Sequence, residues 1–89
     1  MKRFNRDYMN NAEPRRVSTA AMTVIDRLQV EYKPHEQVMG AAATFLILAE
    51  HFGIPAQEIF TATKNLMNGM DGKRPEFAAV MDYVKHEIK

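Results

Sequence analysis

Between residues 14 and 88 the apolar residues recur at spacings of three and four, the period of a helix with one buried face, and nowhere do they alternate as a half-buried strand requires. The first helix is expected from residue 14 or 18 to residue 32. Val17, Ala21, Val24, Ile25, Leu28 and Tyr32 fall on its inner face, and Asp26, Arg27 and Glu31 on its outer one. Lys33-Pro34 ends it, because the residue before a proline is pushed out of the helical region. A second helix then runs from Pro34 to Phe52, a third from 55 to 67 with Ile59, Phe60, Ala62, Thr63, Leu66 and Met67 inward, and a fourth from 75 to 88 with Phe77, Val80, Met81, Val84 and Ile88 inward. Prolines 14, 34, 55 and 75 each stand at a helix start, where the missing N–H has no partner to lose. Asn68-Gly69 stops the third helix, and residues 70–75 form a polar loop.

The second helix breaks the amphipathic rule. From Val38 to Ala49 it shows no polar face, and a helix that is apolar all round is a buried one. A chain of 89 residues cannot wrap such a helix unaided, since chains this short bury only about 60% of their extended surface. Gly40 and the three alanines after it let another backbone approach closely. The predicted interface is therefore Met39, Gly40, Ala42 and Ala43, and the predicted assembly is a homodimer. Seven methionines add to this: most fill apolar positions, whereas Met67 and Met70, at the end of the third helix, are placed for an adaptable contact with a partner.

The pattern thus implies an all-α fold, a small bundle of three to four helices in one domain over residues 17–89, preceded by a partly ordered arm over residues 1–16. Charge separates the two. The arm holds Lys2, Arg3, Arg6, Arg15 and Arg16 against two acids, a balance of +3, while the remainder holds seven bases against nine acids. Such an arm can track phosphates, engage an acidic protein, or stay solvated.

Other classes fall away on composition. The longest apolar run, residues 38–49, is shorter than the roughly 20 residues of a spanning helix, so no membrane association is expected. The basic start has no apolar run behind it and carries Asp7 and Glu13, unlike a secretory signal. With no cysteine there is no thiolate chemistry, and a reducing cytoplasm is the expected setting. His35, His51 and His86 each adjoin a glutamate, but helical neighbours point about 100° apart and share no ligand. Only Asp82 and His86 stand one turn apart, which suits an exposed ion pair better than a metal site needing three or four ligands. No phosphate loop, nucleophile elbow or metalloprotease signature is present, so neither an enzyme, a cofactor nor a small-molecule substrate is expected.

The corner EHFGIPAQEIF, residues 50–60, carries a resemblance. Ala49 and Gly53 stand four apart, and Leu48, Phe52, Ile54, Ile59 and Ala62 fill the apolar positions around them. Over residues 45–64 the chain resembles the helix-turn-helix group of DNA-binding modules. That resemblance implies a reading helix over residues 55–67, with Gln57, Thr61, Lys64 and Asn65 facing the major groove. It also implies phosphate contacts from the arm residues Arg3, Arg6, Arg15 and Arg16. Two expectations follow. The first is a small non-enzymatic protein, a homodimer, that binds a macromolecular partner, most simply a protein; its size suits an accessory protein of a phage or mobile element. The second is a DNA-binding transcriptional regulator.

Overall fold

The computed structural model describes residues 4–88. Five helices follow one another: α1 (Arg6–Asn10), α2 (Pro14–Glu31), α3 (Pro34–Phe52), α4 (Ala56–Met67) and α5 (Pro75–Glu87). The fold is all-α apart from one short hairpin. In it β1 (Asn68–Gly69) pairs antiparallel with β2 (Gly72–Lys73), Asn68 opposite Lys73. No strand was expected there. Two residues per strand, both exposed, are too few to leave an alternating pattern, and Gly72, at φ 111°, supplies the turn.

Local chemistry sets the helix ends. Proline occupies the first turn of α2, α3 and α5. Tyr32 and Lys33 are extended between α2 and α3, and the Lys33 N–H donates to Glu36 Oε1 at 2.9 Å, satisfying a donor at the start of α3. At its other end Gly53 adopts φ 70°. The N–H groups of Gly53 and Ile54 donate to the carbonyls of Glu50 and Ala49, both at 3.1 Å, the paired closure of a left-handed glycine cap. Pro55 follows, and α4 leaves at 116° to α3.

The fifth helix, beyond the three to four expected, lies in the arm. Asn5 Oδ1 accepts from the N–H groups of Asp7 and Tyr8, at 2.8 and 3.2 Å, and starts α1. This short helix packs on α4, and the Phe4 and Phe52 rings lie 5.8 Å apart. Arg15 and Arg16 belong to the first turn of α2, not to a separate arm.

Packing is strongest between α2 and α5. Ser18 lies beside Glu76 and Ala79, and Gln29 Nε2 donates to Tyr83 Oη, so the two helices run in the same direction. By contrast, α3 meets its neighbours near its ends: Gly40 faces Leu28 of α2, and the corner brings α4 against Ala49. The interior is small. Among the described residues only Ala49, Ile54 and Phe77 are buried apolar side chains, and no large side chain is fully enclosed.

Candidate interaction surface

Helix α3 is the most apolar element and, of the four longer helices, the most exposed. Val38 is 70% exposed, Ile47 65% and Leu46 55%, with Met39 and Leu48 also at least half exposed. Within one chain, then, the burial expected of α3 is not met. Only Ala49 is buried on it, because α2 reaches no further than its start and α4 turns away at the corner. At 100° per residue, Val38, Met39, Ala42, Ala43, Leu46 and Ile47 share one half of the helix surface. Between Val38 and Ile47 that half is continuous, apolar and open to solvent, and His35, Glu36 and Glu50 bound it at either end.

Two global quantities agree. The accessible surface is 7364 Å² for 10.2 kDa, against about 5,300 Å² for a compact monomer of that mass. The radius of gyration is 13.7 Å, against about 12 Å for a compact domain of this length. The chain exposes about 2,000 Å² more than a self-contained domain.

A second apolar surface is lined by residues outside α3. A groove of about 440 Å³ opens between α2, the end of α4 and α5. Val17, Ala21 and Ile25 form one wall, Phe77 and Met81 the other, and Met67 closes one end. Among the described residues Lys85 is the only charged one that lines it, and no residue of α3 reaches it.

Of the residues expected at an interface, Met39, Ala42 and Ala43 are exposed on α3, and Gly40 is half-covered beside Leu28. Met67 lies in the groove. Met70 stands fully exposed at the hairpin tip, on neither surface. Of the residues implied by the helix-turn-helix resemblance, Gln57, Thr61, Lys64 and Asn65 are all exposed on α4. Gln57 Nε2 donates to Thr61 Oγ1 at 3.3 Å, and the Lys64 ammonium lies 5.4 Å from the centre of the Phe60 ring. Ala49 and Ile54 lock the inside of the corner, whereas Leu48 is half exposed.

Comparison with protein-family models, curated proteins and solved structures finds no match. The surfaces themselves must carry the functional argument.

The arm is partly committed inside the chain. Arg6 Nε donates to Glu58 Oε2 at 2.6 Å, and its Nη2 donates to Oε1 at 3.2 Å, a two-pronged pairing on the first turn of α4. The hydrogen bond from Arg6 and its positive charge hold the Glu58 carboxyl below its ordinary range, against a smaller opposing effect of desolvation than the hydrogen bond's. The same bond, with the Glu58 charge, raises the Arg6 guanidinium. Arg15 and Arg16 stand exposed at the start of α2, and Arg3 lies outside the described residues.

The histidine and carboxylate chemistry is local. His86 Nδ1 lies 2.8 Å from the Asp82 backbone carbonyl, so the one-turn spacing yields a side chain to backbone bond in place of the expected ion pair. Among the described residues no three potential ligands gather as a metal would require. No single helix there is long and apolar enough to cross a membrane.

Proposed function

We propose that this chain is a small, non-enzymatic, cytoplasmic protein that works by binding a macromolecular partner, a protein, as a homodimer whose pairing through α3 completes a helical bundle. One observation carries the proposal: the continuous apolar half of α3, from Val38 to Ile47, left open to water in the single chain. Soluble monomers seldom expose contiguous apolar patches beyond a few hundred Å² without an interaction to cover them. The excess of about 2,000 Å² is of the size that obligate homodimers bury on each subunit. Sedimentation equilibrium from about 1 to 100 µM tests this directly. A dimer throughout is the expected result, and a monomer at the top of the range refutes it.

A second reading is favoured by a specific observation at the corner. Helices α3 and α4 turn through 116° across three residues, within the 90–120° of a helix-turn-helix, and Gln57, Thr61, Lys64 and Asn65 are exposed on α4. These side chains have the chemistry to read base edges. Lys64 is the lone base of α4 and Glu58 its lone acid, so the helix supplies no net attraction to a duplex. Fluorescence anisotropy against mixed-sequence duplexes at low salt decides the matter. Salt-sensitive binding at tens of micromolar protein supports DNA reading; a flat titration removes it.

A further inference from the structure

We propose that the two open apolar surfaces of this chain fit each other: α3 of a second copy seats in the groove between α2, α4 and α5, and the exchange is reciprocal. This rests on the homodimer proposed above and specifies how it is built.

Area is the first argument. A standard interface covers about 800 Å² on each partner, whereas this chain carries an excess of about 2,000 Å². Pairing one α3 with the other would cover that helix and leave the groove open. Placing each α3 in the other chain's groove covers both surfaces at once, twice per dimer.

Connectivity is the second. No residue of α3 lines the groove, and α3 is held by a two-residue link to α2 and a three-residue corner to α4. Its contact with α2 lies beyond the groove wall, at Leu28 beside Gly40. Within the folded chain the groove is left without a helix to fill it. An exchange in which each copy both gives a helix and receives one closes under twofold symmetry and leaves no unsatisfied end to propagate a fibre.

Shape and charge are the third. The exposed half of α3 is narrow at Ala42 and Ala43 and broad at Met39 and Leu46 on either side. In the groove, Ala21 offers a small residue on the α2 wall, while Met67 and Met81 are flexible thioethers able to mould to what enters. Glu50 continues the Met39–Leu46 stripe one turn further on, and the groove's only charged lining residue is Lys85. The two charges have opposite sign and stand at the edges of the two surfaces that meet.

The natural chain has no cysteine, which makes the test clean. Leu46→Cys chains and Met81→Cys chains are mixed, treated with a short bismaleimide, and resolved by mass. Reciprocal seating yields the mixed Leu46→Cys to Met81→Cys product in excess of either self-linked product. A dominant Leu46→Cys self-link places α3 against α3 and overturns the groove. A protein that sediments as a dimer yet gives no crosslink also overturns it, while a monomer removes the homodimer itself, so the two failures are distinct. Charge reversal covers the case in which a cysteine variant unfolds. Glu50→Lys and Lys85→Glu should each weaken dimerisation about fivefold, and together restore it to near the wild-type constant. Additive weakening in the double variant overturns the pairing.

Discussion

Replacing Leu46 and Ile47 together by alanine isolates the surface on which the proposed assembly depends. In the single chain these side chains are 55% and 65% exposed, so shortening them leaves small cavities and removes little packing within a subunit. Alanine is also the better helix former, so α3 should remain helical. In the dimer the exposed parts become buried. Full burial of a leucine or isoleucine is worth about 1.5–3 kcal/mol, so the portions still exposed are worth about 0.8–1.7 kcal/mol for Leu46 and about 1–2 kcal/mol for Ile47. Each change occurs twice in a symmetric dimer. The double variant should therefore lose about 4–7 kcal/mol of association, or about three to five orders of magnitude in Kd. Sedimentation equilibrium across a concentration series reads this, with far-ultraviolet circular dichroism to confirm that helix content is retained. In the proposed dimer association stabilises the folded subunit, so the wild-type Tm should also rise with protein concentration, and the variant's should lose that dependence where it remains folded. A dimer of unchanged affinity would refute the argument, since it would place the interface away from α3.

Other expectations follow from individual sites. Ala42→Glu puts a carboxylate in the middle of the apolar half of α3 and should abolish the dimer by sedimentation while the chain retains its helicity, because Ala42 is exposed within the subunit. Gly53→Ala should destabilise the fold by about 1–2 kcal/mol in urea denaturation, purely through the left-handed backbone at φ 70°, since an added Cβ there meets nothing within 4 Å. The Arg6–Glu58 pair should contribute to holding α1 above the ordinary carboxylate range of pH. That contribution should be lost as pH falls through the depressed Glu58 value, and the Arg6 side-chain N–H resonances in a pH titration report it. Lys64→Ala should weaken binding to any acidic or phosphate-bearing partner of α4 and reduce its salt dependence, read by anisotropy.

Much of the helical layout was legible in the sequence because its signals are local. Pro34 and Gly53 fix the ends of α3 by backbone stereochemistry alone, and the structure places α3 between them. What escaped is non-local. Asparagine is a poor helix former, and three of them in residues 5–11 predict an arm that is only partly ordered; Asn5 is instead the cap that starts α1, and Arg6 finds its partner on Glu58, 52 residues away. Apolar periodicity put Phe60 and Met81 on inner faces. Both are about half exposed, because periodicity marks a face without saying whether anything covers it. The same limit explains α3, where composition announced burial and could not say against what. The groove left no sequence signal beyond the ordinary inner faces of α2 and α5.

The two readings of this chain differ in what meets α4, and they can be weighed against each other on the dimer. Thr63 and Met67, the α4 residues in the groove, lie about a third of the way round the helix from Gln57, Thr61 and Lys64. A second copy seated in the groove thus leaves the polar face of α4 open, and twofold symmetry presents it twice. A twofold DNA reader needs its helices about 34 Å apart, a separation that two chains each 36 Å in longest extent can reach. Geometry therefore permits either partner, and charge discriminates between them. Duplex readers typically neutralise six to ten phosphates, roughly three to five per subunit. Among the described residues of each copy Lys64 is the only cation of α4, Arg6 is engaged by Glu58, and residues 17–89 are slightly acidic. Duplex binding would draw its further cations from the arm and the start of α2, Lys2, Arg3, Arg15 and Arg16, and using Arg6 as well would cost its pairing with Glu58, whereas a protein partner requires none of these. On that balance we favour the proposed protein partner for the polar face of α4, where the Phe60 ring stands half exposed beside Lys64, and the anisotropy titration against duplex decides between the two.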